Sequence, residues 1–156
     1  MDSDYNLASL RYLANGKQSP QEIHRIARGL FNRSLRQGKL RQVWGKLAGR
    51  SVALCSLAHL PAARQASHSH HVNFVPLERI VGSEGRSDEF DNQFNPLKSH
   101  NQERWIGIAI ARRAGVVLPP VELVQDGDEY YVRDGHHRIS VAKALGQLEI
   151  EALIVN

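Results

Sequence analysis

The run from Val121 to Val155 constrains the fold more tightly than any other part of the chain. Val121-Glu122-Leu123-Val124 and Glu129-Tyr130-Tyr131-Val132 are β-prone segments separated by Gln125-Asp126-Gly127-Asp128. An Asp-Gly pair between two such runs predicts a hairpin, because glycine accepts the positive φ of a tight turn. Asp134-Gly135-His136-His137-Arg138 follows and leads into Ile139 to Leu145, a segment of helical composition that stops at Gly146. Glu149 to Val155 then closes the chain as a strand, with Ile150, Ala152 and Ile154 alternating toward one face. The order strand, strand, polar turn, helix, strand defines an α+β class.

Upstream, Val72 to Val75 reads as a strand leading into Pro76 to Ile80, and Gly82 to Pro96 as a charged, glycine-containing loop. Glu103 to Ala114 is helical, with Trp105, Ile106, Ala109 and Ile110 apolar, Arg112 and Arg113 at the end where cations are favoured, and Gly115 as its stop. Near the N-terminus, Ser19-Pro20-Gln21-Glu22 carries a capping box with proline at the first helical position. Ile23, Ile26, Ala27, Leu30 and Phe31 form an apolar stripe behind it, and Gly38 is the expected stop. A second short helix would place Leu40, Val43, Trp44 and Leu47 on one face and end at Gly49, followed by a short apolar element over Val52 to Leu60. Pro61 to His71, rich in Ala, Ser and His, reads as a linker, and its His68, His70 and His71 as an adventitious tract. The expected organisation is a basic helical segment over 1–60, a linker over 61–71 and a folded domain over 72–156.

The single cysteine, Cys55, rules out an internal disulfide framework, and no apolar run reaches the length of a membrane-spanning helix. Met1-Asp2-Ser3-Asp4 is acidic where a signal peptide needs a basic region, so a cytoplasmic protein with no membrane partner is expected, and the sequon Asn32-Arg33-Ser34 is read as chance. The net charge of +4 conceals an asymmetry. Residues 1–72 hold 11 Lys and Arg against 3 Asp and Glu, a net of +8, while residues 73–156 hold 9 against 13, a net of −4. The basic half suits either a polyanion such as DNA or docking on the chain's own acidic body.

Chemistry concentrates in the turn from Asp134 to Arg138. A helix beginning near Gly135 or His136 exposes unpaired amides and the positive end of its dipole to anions. Gly135 would admit a ligand close to the backbone, while His136, His137 and Arg138 would add donors suited to a polyphosphate. Asp134 fits such a site if it caps the helix, holds Mg²⁺ or orients a histidine. No Walker A sequence, dinucleotide Gly-x-Gly-x-x-Gly or zincin His-Glu-x-x-His is present.

The succession Val75-Pro76-Leu77-Glu78-Arg79-Ile80, polar loop, helix, Leu118-Pro119-Pro120-Val121, hairpin, Val132-Arg133-Asp134-Gly135-His136-His137-Arg138, helix, Leu145-Gly146 and strand resembles the ParB/sulfiredoxin superfamily over roughly residues 72 to 156. Its turn is most similar to the Asp-Gly-His-x-Arg turn of the free serine kinases, and His136 stands where a sulfiredoxin has its cysteine. The resemblance implies a small mixed sheet with helices and a turn that cradles nucleotide phosphates. It also implies a glutamate general base behind the first strand, for which Glu84 is the nearest match. Arg86 would neutralise a phosphate or pair with a loop acid, and Arg104 and Trp105 would face the nucleotide or, for Trp105, fill the core.

The reading is therefore a protein that binds a nucleoside triphosphate or diphosphate with Mg²⁺ through Arg86, Gly135, His136, His137 and Arg138. ATP or CTP hydrolysis, or phosphoryl transfer to a small molecule, would draw on Glu84, Asp134 and His136, with Asp134 on the metal. The alternatives are a DNA-binding, partition-like module using the basic N-terminal helices, and a metal-dependent nuclease using His136 and His137 as acid, base or ligand.

Overall fold

The computed structural model describes residues 19–57, 72–85 and 88–155. Helices α1 (Pro20–Leu47), α2 (Gln102–Arg113) and α3 (His136–Ala144) accompany strands β1 (Cys55–Ser56), β2 (Val72–Pro76), β3 (Ile80–Ser83), β4 (Val121–Asp126), β5 (Glu129–Asp134) and β6 (Glu149–Ile154). The strands form one mixed sheet in the order β1-β3-β5-β4-β6-β2. β1, β3 and β5 run parallel, β4 is antiparallel to β5 and parallel to β6, and β2 lies antiparallel on β6. This is the expected α+β class with a mixed sheet. The β4–β5 hairpin closes at the pair Asp126–Glu129, with Gly127 at φ 60°, as its Asp-Gly turn requires. Among the described residues no helix is long and apolar enough to cross a membrane.

The capping box is in place: the Ser19 hydroxyl accepts from the Glu22 amide at 3.2 Å, with Pro20 at the first helical position. Beyond it the structure departs from expectation. α1 continues without interruption for 28 residues, through Gly38, where two short helices were expected. Gly38 lies against the loop before α2, and a Cβ there would stand 2.6 Å from the Pro96 carbonyl oxygen and 3.1 Å from the Asn95 Cβ. Glycine at this position admits a neighbouring backbone instead of ending the helix.

The continued helix also keeps its phase. Ala27, Phe31, Ser34, Gly38 and Gly45 are its buried residues, so Leu40, Val43, Trp44 and Leu47, expected to pack, stand 55% to 75% exposed. The expected apolar element after Gly49 supplies buried Leu54 and the edge strand β1, which pairs with β3 through Cys55 and Gly82. The linker over 61–71, with His68, His70 and His71, lies outside the described residues.

Two apolar clusters meet at α3. One lies against the sheet and includes Val121, Leu123, Val132, Ile150 and Ala152 with Ile139 and Ala142 of α3. The other joins α1 and α2 through Phe31, Trp105, Ile106 and Ala109, with Val141 of α3. Trp105 is fully buried, meets the Phe31 ring edge-on at 5.6 Å and donates its indole N–H to the Ser140 hydroxyl at 2.9 Å. It is a core residue, and burial of its indole is accompanied by the hydrogen bond that burial demands.

The charged loop before α2 is organised around Asp91, whose side chain is wholly buried. Its carboxylate accepts from the amides of Gln93 at 2.9 Å and Asn95 at 2.8 Å, from the Asn95 side chain, and from Arg41 Nε of α1 at 3.0 Å. Arg41 also donates to the Asn92 side chain at 2.9 Å. A buried carboxylate needs this degree of satisfaction to be tolerated.

Two substitutions test this packing by urea denaturation. Gly38→Ala is expected to cost about 1–3 kcal/mol through overpacking, although alanine is intrinsically the better helix former by about 1 kcal/mol. A gain in stability would contradict the close approach to Pro96. Asp91→Ala is expected to cost about 2–4 kcal/mol, because it strands the loop amides that the carboxylate satisfies. A neutral result would show that the loop is held some other way.

Candidate functional site

The ends of the parallel strands β3 and β5 carry Ser83, Glu84, Arg133 and Asp134, and α3 begins two residues later. Gly135 is the N-cap, at φ 104°, a left-handed conformation that glycine adopts without strain. A Cβ at Gly135 would lie 2.5 Å from Val121 Cγ1, so the missing side chain makes room for Val121 and not for a ligand. No side chain caps α3 and no acid stands in its first turn. Asp134 is thus not the helix cap: the left-handed Gly135 occupies that position, and the Asp134 carboxylate instead takes a 2.6 Å ion pair from Arg138.

Arg138 is committed to the protein. Besides Asp134, its guanidinium donates to the carbonyls of Pro119 at 2.5 Å and Pro120 at 2.9 Å, tying the first turn of α3 to the segment entering β4. The two histidines are equally internal. His136 and His137 are buried, where the polyphosphate reading had both at the ligand. His136 Nε2 is 2.6 Å from the Ser83 hydroxyl, and Phe90 stacks on His136 at 6.1 Å and meets His137 edge-on at 5.3 Å. A serine and histidine at this spacing have the geometry of an activated hydroxyl. Ser83 is nevertheless completely buried, so the pair fastens the start of α3 to the end of β3. Sequence reasoning missed Ser83, since a serine at the end of an apolar strand carries no local mark of a partner 53 residues away.

Glu84 sits beside this turn but faces Arg133, with contacts of 2.7 Å and 3.2 Å to the guanidinium. The hydrogen bond from Arg133 holds its carboxyl below the ordinary 4.5, outweighing the opposing effect of partial burial. A carboxylate stabilised in this way is a weaker proton acceptor than a free one. Arg86 lies outside the described residues. Among the described residues no group of three or more His, Cys, Asp and Glu gathers to hold a metal, which leaves Asp134, with a 61% exposed side chain, as a single carboxylate at the turn.

A notch of about 20 Å³, lined by Arg104, Ile108 and Asp134 to Arg138, opens at the N-terminus of α3. Its volume admits about one water-sized group, so an anion placed there inserts an oxygen and leaves its bulk outside. Arg104, exposed on α2, is the cation of this notch that the fold leaves toward solvent.

No protein-family model matches the chain, and the comparison with curated proteins finds no match. In structure the chain is similar to sulfiredoxin from Arabidopsis thaliana, with a TM-score of 0.42 and 21% identity over 54% of this chain and 83% of that one.

The Glu84–Arg133 pair makes a pH-dependent contribution. Because the folded pKa of Glu84 is lowered, the stabilisation is present above the unfolded value near 4.5 and is lost as the pH falls through the folded value. Both side chains are 41% exposed, so the pair is worth less than about 1 kcal/mol. Glu84→Gln is expected to lower Tm slightly at pH 7 and to match the parent protein at a pH acidic enough that the parent carboxyl is itself protonated. An equal deficit at both pH values would mean that the pair is not what the substitution removes.

Proposed function

We propose that the protein binds a nucleotide by its phosphates at the N-terminus of α3. The observation that carries this reading is the uncapped first turn of that helix: a left-handed glycine at the N-cap, no capping side chain, no acid within the first helical turn, and a small notch that Arg104 shares. Unpaired amides at a helix start, with the positive end of its dipole, favour an anionic oxygen. The resemblance of Asp134-Gly135-His136-His137-Arg138 to nucleotide-cradling turns supports the same ligand class.

The roles of the residues differ from those expected from sequence. Main-chain amides and Arg104 contact phosphate, while Arg138, His136 and His137 hold the turn in shape from within. Mg²⁺ fits the donor set only as a companion of the phosphates: Asp134 is the exposed carboxylate at the turn and already pairs with Arg138, and Mg²⁺ is commonly held by one or two carboxylates together with substrate oxygens. When bound, the ion would neutralise phosphate charge beside that carboxylate. The pairing of Glu84 with Arg133 favours binding without turnover, since a phosphoryl transfer would require the carboxylate to leave its partner and accept a proton.

Isothermal titration with ATP, ADP, CTP and GTP, with and without Mg²⁺, tests the proposal. Arg104→Ala is expected to weaken the best ligand by about 1.5 kcal/mol, the scale of a charge-assisted hydrogen bond, with no change in Tm. Absence of binding by all four nucleotides, or an affinity indifferent to this substitution, would reject the site.

A further inference from the structure

A second cavity lies at the opposite end of α3 and owes nothing to the turn. It has a volume of about 650 Å³ and is walled by one face of α1, the loop tip at Gln93, Phe94 and Asn95, the last turns of α3 and the start of β6. That size is within the range of small-molecule sites.

Its floor is built with some strain. Phe94 is 1% exposed and is the one non-glycine residue at positive φ among those described, at 62°. Such a conformation persists only where the surroundings impose it. Here the imposing group is Asp91, which binds the amides on both sides of Phe94 and turns its ring inward. The Lys143 ammonium stands 4.9 Å from the ring centroid. Burial lowers the Lys143 pKa, and the carboxylate that opposes the effect is Asp91, already engaged by Arg41, Gln93 and Asn95. Among the described residues Lys143 forms no ion pair. Arg33 of α1 lines the same cavity, and Ser140 accepts from Trp105, which leaves its O–H to donate.

We propose that this cavity binds a small, polar monocarboxylate, with the carboxylate on Lys143 over the Phe94 ring and Arg33 at the mouth. A single negative charge suits the lining better than a phosphate dianion. Glu78 and Glu149 also border the cavity, and Lys143 occupies the last turn of α3, where the carbonyl end of the helix dipole repels added negative charge. The side chains of Gln37, Gln93 and Gln147 offer hydrogen bonds to hydroxyls on the body of such a ligand.

The test is a two-dimensional amide NMR titration of the full chain with lactate and gluconate, using inorganic phosphate as the comparison. Saturable shifts are expected at Gln93, Phe94, Asn95 and Lys143, with an affinity at least about tenfold weaker in Lys143→Met, which keeps the aliphatic packing on Phe94 but removes the charge. Should that variant fail to fold, Arg33→Gln, an exposed change, is expected to weaken the same shifts. No saturable shift at these residues, equal affinity in the variants, or a response to phosphate alone would overturn the proposal. Shifts confined to Gly135 to Arg138 would also overturn it, while leaving the nucleotide reading intact.

Discussion

The buried carboxylate of Asp91 is the constraint on which the arrangement of helices and loop depends. A carboxylate without solvent has to find donors, and Asp91 finds them in its own loop and in Arg41 of α1. The loop is thereby closed on itself and joined to a helix 50 residues earlier in the chain. Once the loop is held there, Pro96 presses against Gly38 and Phe94 is turned inward. The attachment of α1 near Arg41 and the floor of the cavity near Lys143 both draw on this one desolvated charge, while the apolar face around Phe31 seats the rest of α1.

The turn into α3 shows how a polar motif can serve architecture. His136, His137 and Arg138 are the residues that a reader of the sequence would offer to a ligand, and each is drawn into the protein: His136 to Ser83, both imidazoles to Phe90, and Arg138 to two carbonyls and Asp134. The backbone that these side chains position is itself largely buried and borders the small notch beside Arg104. Preorganised main-chain donors need no reorientation when an anion arrives, so anchoring the motif internally is compatible with a binding role for the turn.

What the sequence made legible was local. The Asp126-Gly127 hairpin, the Ser19 cap and the alternation of Ile150, Ala152 and Ile154 each follow from backbone chemistry within a few residues, and the structure has all three. Gly38 was misread because a glycine that stops a helix and one that admits a neighbouring backbone look alike until the neighbour is known. Asp91 stood unremarked among other loop acids, since nothing nearby announces that Arg41 will reach it. Ser83 was invisible for the same reason. Gly38, Asp91 and Ser83 share one cause, namely a partner distant along the chain, whereas Asp134 lost the capping role to its own neighbour Gly135.

Because α3 contributes Ile139 and Ala142 to the sheet cluster and Val141 to the helical one, its nine residues belong to both apolar interiors at once. Loss of that segment would expose part of both interiors together, so the sheet cluster and the helical cluster are coupled through one short helix.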